Sequence, residues 1–590
     1  MKRFFDRILA HSSFPPVAAT LAVVLTLPSV WTGLQQDDLV HRYYLHGFAD
    51  TTGQGRAELG IFTFLKGDSV SAHTLMDIGV APWWTLPSLR LAFWRPLAAL
   101  DHWVDYLLWP EHPVWMHAHS LLWFAVMIIA GVYLYRRYLG RTLAAGMAGL
   151  LFALDDVHGL AAGWIANRNT LITLLAGALV LIVHDKWRRD GWKPGWALGP
   201  FFLAVGLCAG ESALAICAYL FAYTLILDHG TVRRRIRALL PYAALTLVWL
   251  VLRARGGYGT WGSGYYIDPL SEPLRFGAAL AMRFPILLAD QLFLPPSSIV
   301  LFLGESPFSP LLIWALVIGV LFGFLLWPLI RNDRVSRFWV TGMLLSLPIV
   351  CTTLPHSRLL MFSGLGACGV LGTWIQQARE KGAVPGEPRT HTRLRRWAVI
   401  LLLAVHVPIA AMMLFSNAIS TAFAERYIQR PALSLEGGEA MRETDLIVVN
   451  HPIPFYAHQT GTARLVLGSV RPRRLRVLAP GTDPVHIERP DSATLIVRPG
   501  SGFLSASFDN VFRGSAHPMR EGEMVSLTGM TAEVLRLTPD GRPAEVRFRF
   551  VGRLEDPPRR WVCWGKDRYE PFTPPPVGGS IDLPGSPLEF

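Results

Sequence analysis

A chain of 590 residues could hold several soluble domains, but 52% hydrophobic residues, 21 tryptophans and a mean hydropathy of +0.34 place much of this one in lipid. A formal charge of +12 would suit nucleic acid in a soluble protein. Here the arginine clusters recur beside apolar runs, which marks them as membrane-topology signals and excludes a nucleic-acid partner. Five cysteines (208, 217, 351, 368 and 563) lack metal-ligand spacing, and four lie in apolar runs, so no disulfide framework follows.

The chain starts MKRFFDR before an apolar run, the charge order of a signal peptide, yet no small-residue cleavage site precedes the next polar segment. It reads as an uncleaved first span. Apolar runs predict spans near 14–33, 116–135, 142–158, 167–184, 196–210, 212–228, 236–253, 309–330, 338–354, 359–376 and 396–415, about eleven in all. Cytoplasmic loops should be the basic ones. Starting inside with Lys2 and Arg3, alternation puts Arg136-Arg137-Arg141, Lys186-Arg188-Arg189, Arg233-Arg234-Arg235-Arg237, Arg331-Arg334-Arg337 and the 379–396 loop on the cytoplasmic side. The expectation is a multi-pass protein of a bacterial inner membrane, N-terminus cytoplasmic, with everything after about residue 416 exported.

Residues 1–430 therefore read as an all-α polytopic membrane domain with two long outer segments, 34–113 and 255–308. The first holds the amphipathic PWWTLPSLRLAFWRPL and should lie at the membrane–water boundary. The second, opening with GGYGTWGSGYY, should form an interfacial or re-entrant element. Residues 431–590 change to short alternating runs, DLIVVN, ARLVLG, ATLIVRP, AEVLRL and AEVRFRFV, which predict a β-rich extracytoplasmic domain. Its Pro/Gly-rich end should be extended.

Ionisable groups near a bilayer are costly, so a set of them at helix ends on one side marks a candidate site. Asp37-Asp38 follows the first span; Asp155, Asp156 and His158 end the third; Arg168 opens the fourth; Glu211 sits in the turn between the fifth and sixth; His356 and Arg358 lie between the ninth and tenth. All fall on the predicted outer face. A carboxylate there suits a general base, and Arg or His suits an anionic phosphate. The competing accounts are structural: Asp37-Asp38 as a helix cap, Asp155-Asp156 as a water-facing loop, His158 as a packed imidazole, Glu211 as a turn reaching the interface, Arg358 and Arg95 as interfacial anchors. Asp156 and His158 could also contribute to a divalent cation site, at a spacing that is not diagnostic. Asp101, His102 and Asp105 in DHWVD share a helical face, which solvation of an amphipathic helix explains.

In their order these motifs resemble the membrane-embedded C-type glycosyltransferases (the GT-C fold), especially bacterial relatives of the tetratricopeptide-linked protein O-mannosyltransferases. The resemblance covers about residues 30–376. Asp37-Asp38 matches an acidic pair in that family's first outer loop, WRPLAALDHWVDYLLW its arginine-proline motif, and LDDVHGLAAGWIANRNTL its turn between spans three and four. Glu211 and Arg358 match a later acidic turn and an arginine before a Leu-rich span. The sequence departs from the family where Asp155-Asp156 replaces a histidine-proline, and where Leu160 and Ser357 stand for glutamates. Tetratricopeptide repeats are absent.

The resemblance implies inverting transfer of a sugar from a polyprenyl-phosphate donor to an envelope glycan, lipid or protein. Asp38 or Asp37 would act as base; Arg358, Arg168, His158 and His356 would hold the donor phosphate; Asp155, Asp156, Glu211 and Arg95 would support them. A divalent cation is allowed but not required. A lipid-linked substrate transporter would instead place charges at mid-span in related halves. A non-catalytic assembly protein would need far fewer spans.

Overall fold

The computed structural model describes residues 7–45, 59–304, 309–380 and 389–588. Lys2 and Arg3, and residues 381–388 of the 379–396 loop used for orientation, lie outside them. The chain forms two compact units: 1–33, 93–256 and 272–421; and 34–92, 257–271 and 422–590. The division at residue 430 expected from sequence therefore leaves out two pieces of the second unit. Most of the first outer segment and the Gly/Tyr-rich stretch fold with the C-terminal residues.

The first unit is helical throughout its described residues. Each of the eleven expected spans falls on helical residues, but among the described residues only seven helices are long and apolar enough to cross a membrane, or eight if a bent pair counts as one. The bent pair, Leu143–Leu154 and Asp156–Gly163, breaks by 41°. Gly195–Ala209 and Glu211–Ile226 are shorter apolar helices, and Arg334–Val350 has 17 residues. At about 1.5 Å per residue these three fall short of a hydrocarbon core of about 30 Å. The long helix Pro310–Asn332 leaves Ile313, Leu316, Val320, Leu321 and Phe324 exposed. Such an apolar face is satisfied by lipid, and the chain is a multi-pass membrane protein.

Small residues set how closely the helices approach. Helix Met361–Glu380 contains SGLGACGVLG; a Cβ on Gly372 would stand 2.6 Å from the Ala148 nitrogen, and one on Gly366 2.6 Å from the Trp339 carbonyl. Where backbones touch this closely, phenols supply the polar contacts: the Tyr135 hydroxyl donates to the Leu365 carbonyl at 2.7 Å, and that of Tyr219 to the Phe362 carbonyl at 2.6 Å. At another level Asp185, fully buried, gathers Arg137, Arg189 and the Tyr223 hydroxyl, joining three helices. Arg137 is thus an ion-pairing group as well as a basic-loop residue.

The second unit is a layered β structure. Strands β1 (Thr63–Lys66), β2 (Arg90–Ala92) and β3 (Gly259–Trp261) form a small antiparallel sheet from segments nearly 200 positions apart. Strands β4 (Asp445–His451), β5 (Arg474–Pro480), β6 (Val485–Glu488), β7 (Thr494–Pro499), β8 (Met524–Leu527), β9 (Met530–Leu537), β10 (Pro543–Phe550), β11 (Arg559–Trp564), β12 (Tyr569–Pro571) and β13 (Ser580–Leu583) follow. An antiparallel sheet runs β13-β6-β7-β10-β9-β8, and a mixed sheet runs β12-β11-β4-β5 with β4 parallel to both neighbours.

A parallel pair needs a crossover, usually helical. Here helix Thr460–Val466 supplies part of it, so ARLVLG, expected as a strand, is mostly helix. Its short alternating pattern fits either state. In the Pro/Gly-rich end, β13 pairs with β6.

Strand alternation puts Leu495, Val497, Ala532, Val534, Val546 and Phe548 into one core with Trp83 and Trp84. The two tryptophans tie the early segment to the late one: Trp83 Nε1 donates to the Leu478 carbonyl (3.2 Å), and Arg513 Nε donates to the backbone carbonyl of Trp84 (2.8 Å). Gly79, at φ 84°, ends helix Ser69–Ile78 where a Cβ would sit 2.2 Å from the Leu475 carbonyl oxygen.

Candidate functional site

In the first unit the break between Leu154 and Trp164 carries three expected site residues. Asp155 is buried, not water-facing: it accepts from the Val157 amide (3.4 Å) and from Gln291 Nε2 (3.4 Å), with Cys368 Sγ at 3.9 Å. Asp156 Oδ2 accepts from Asn417 Nδ2 (3.3 Å). His158 is fully buried between the rings of Phe124 (5.9 Å) and Phe152 (4.9 Å). The structure thus gives His158 the packed-imidazole role. Among the described residues no three His, Cys, Asp or Glu side chains are arranged to hold a metal ion.

Arg168 follows the one-turn helix Ile165–Asn167 and is also fully buried. Every guanidinium nitrogen has a partner. Nε donates to Ser120 Oγ (2.8 Å), Nη2 to the Met116 carbonyl (2.6 Å), and Nη1 to Asp101 Oδ2 (2.7 Å) with Asp105 Oδ2 at 2.6 Å. Two carboxylates already neutralise it, and each of its three nitrogens is engaged within the protein, so it is not offered to a donor phosphate. This corrects two expectations at once. Arg168 is a structural cation, and Asp101 and Asp105 on helix Pro96–Leu108 are its counter-ions, not a solvated face. His119, not singled out in the sequence, joins them with Nδ1 2.6 Å from Asp105 Oδ1.

Arg95, at the start of the same helix, donates from Nε to Glu211 Oε2 (2.8 Å) and lies over the Phe93 ring. The pair fixes the Gly210-Glu211 turn. Glu211 orients Arg95, not Arg168 or Arg358.

Arg358 differs. Its Cζ stands 5.4 Å from the centroid of the Trp164 ring, its Nε has no hydrogen-bond partner, and among the described residues no carboxylate pairs with it. Its amide donates to His356 Nδ1 (3.2 Å), which caps the turn Ser357–Leu360. Burial and the adjacent Arg358 charge push the His356 imidazole well below its ordinary range. His356 therefore acts through Nδ1 as the cap of the turn that carries Arg358. What remains is one guanidinium, held by stacking and presented without a counter-ion. Such a group binds anions.

In the second unit Asp37 and Asp38 open helix Asp37–Leu45. Asp38 is 1% exposed, and its Oδ2 accepts from the Gln35 amide (3.0 Å). Asp37 is only half-buried. Burial raises the Tyr456 phenol above its ordinary range, and the Asp37 and Tyr265 charges beside it add to the shift. Asp37 is thus the accessible member of the pair.

No protein-family model and no curated protein sequence matches the chain. Among solved structures it is similar to the Archaeoglobus fulgidus oligosaccharyltransferase tethered with an acceptor peptide containing the NVT sequon. Identity is 10% and the TM-score 0.39, over 79% of this chain and 63% of that one. The same archaeal protein in complex with zinc and sulfate gives 12% and 0.40, over 80% and 63%. ArnT from Cupriavidus metallidurans bound to undecaprenyl phosphate gives 15% and 0.37, over 77% and 88%. The chain spans less than two thirds of the archaeal protein, and scores of this size assign it no activity and no residue role.

Proposed function

We propose that the protein is a C-type membrane glycosyltransferase that moves a sugar from a polyprenyl-phosphate donor to a cell-envelope acceptor on the outer face. The single observation that carries the reading is Arg358, a stacked guanidinium with no carboxylate partner at the position where the family resemblance puts its phosphate-binding arginine. The ordered acidic and basic motifs of residues 30–376 support it.

In this reading Asp37 takes the proton of the acceptor hydroxyl as its oxygen attacks the anomeric carbon. The bond from that carbon to the phosphate oxygen breaks with inversion, and the polyprenyl phosphate leaves as an anion. Arg358 stabilises the charge that grows on this phosphate. Asp38 holds the turn that presents Asp37. The N-terminus is cytoplasmic, and the second unit lies outside the bacterial inner membrane, where it meets the acceptor.

Asp37→Asn and Arg358→Gln should each abolish the envelope modification while inserted protein is present at wild-type level. Envelope glycan profiling reads this, and wild-type profiles in both variants would sink the reading. A periplasmic reporter fused after Ser416 should be active; a cytoplasmic result would overturn the sidedness.

A further inference from the structure

The cluster around Arg168 does not balance. Asp101 and Asp105 bring two negative charges and Arg168 one positive, in a site where Asp105 and Arg168 have no side-chain exposure and Asp101 has 10%. One uncompensated buried negative charge is expensive. His119 is the group that can cancel it. Its Nδ1 is 2.6 Å from Asp105 Oδ1 and 3.2 Å from Arg168 Nη1, its Nε2 is 3.7 Å from Asp101, and its side chain keeps 20% exposure, enough for exchange with water. Trp109 and Trp123 flank the ring at 6.1 Å, and Trp123 Nε1 donates to Asp101 Oδ1.

The other titratable groups nearby are already committed or lie to one side. His117, on the same helix, senses Arg168 and Asp105, but its Nε2 is 3.0 Å from the Gly33 carbonyl. His102 sits on the buried face of helix Pro96–Leu108. Arg95 and Glu211 neutralise each other.

Arg168 is the residue directly after the turn Ile165–Asn167, and Trp164 directly precedes it. Trp164 is the platform under Arg358. Five consecutive residues therefore link the Arg168 charge cluster to the open guanidinium. We propose that His119 is a proton-operated positioning residue: by taking up a proton it completes the charge balance that seats Arg168, and so holds the Trp164 platform on which Arg358 meets an anionic phosphate. This rests on the reading of Arg358 as the phosphate site. Proton and phosphate lipid then bind with reciprocal coupling.

The test is binding of undecaprenyl phosphate to the detergent-purified full chain, by thermophoresis, from pH 5.5 to 8.5. The phosphate's own titration is common to all variants and divides out. Wild-type affinity should fall about tenfold from pH 5.5 to pH 8.5. H119Q should bind weakly at every pH, because the charge stays uncompensated. D105N should bind tightly at every pH, because one carboxylate then balances one guanidinium. The double variant H119Q/D105N should regain the tight, flat profile, which a purely structural loss at either position would not allow.

A wild-type profile parallel to that of H119Q, or a double variant no better than H119Q, overturns the proposal. R358Q reports separately on the underlying reading: unchanged binding there removes the phosphate site itself, whatever the His119 variants do.

Discussion

Arg168 and Arg358 look alike in the sequence, each opening an apolar helix beside polar residues, and the structure makes them opposites. Arg168 is sealed among two carboxylates, a serine and a carbonyl; Arg358 rests on an indole, and among the described residues no carboxylate pairs with it. The charge is the same in both. What differs is whether the neighbouring elements supply its counter-ions, and that decides whether an arginine holds a fold together or remains available to a ligand.

The comparison breaks most severely at the sealed site. Arg168→Leu leaves Asp101 and Asp105 buried without their cation and should cost about 3–5 kcal/mol, seen as a collapse of folded yield and melting temperature. At the open site, Arg358→Gln should leave the melting temperature within a few degrees of wild type while transfer falls by about 10²–10³-fold. Arg358→Lys, a point charge without a planar face for Trp164, should recover only part of that loss.

A third buried charge sharpens the contrast. Asp509 is 1% exposed, neither carboxylate oxygen has a partner, and burial raises its pKa to about 7. Between its ordinary value near 4 and about 7 the unfolded chain loses the proton first, so stability falls as pH rises through that window. Asp509→Asn should match wild type near pH 4 and exceed it at pH 8 by on the order of 2 kcal/mol, measured by hydrogen exchange in β8–β10. The smallest effect is expected from Trp164→Phe, which keeps an aromatic face under Arg358 and should weaken phosphate-lipid binding by less than roughly tenfold.

Much of the helical unit was legible because apolar length is a local property: each of the eleven runs became a helix. Their number as full spans was not, since Gly195–Ala209 and Glu211–Ile226 are apolar but short. The candidate site was legible by residue type and less so by role. The i, i+4 spacing of Asp101 and Asp105 was visible, but their partner lies more than 60 positions away, and nothing local distinguishes a solvated face from a neutralised one. His119 shares MHAHS with His117, and only packing shows which imidazole reaches a carboxylate. In the second unit, alternation revealed β7, β9 and β10, whereas the parallel β4–β5 pairing and the recruitment of Trp83 and Trp84 depend on contacts that no short window contains.

That recruitment has a consequence for how the protein is made. Strand β2 emerges from the ribosome long before β3, and Trp83 and Trp84 wait for Phe503 and Phe548, more than 400 residues later. A segment rich in aromatic residues must therefore stay unpaired through the synthesis of most of the transmembrane helices, the situation in which exposed strands and apolar surface invite misassembly. The amphipathic character of residues 82–97 fits that interval as well as the finished fold: resting on the membrane surface would shield them until the last strands arrive.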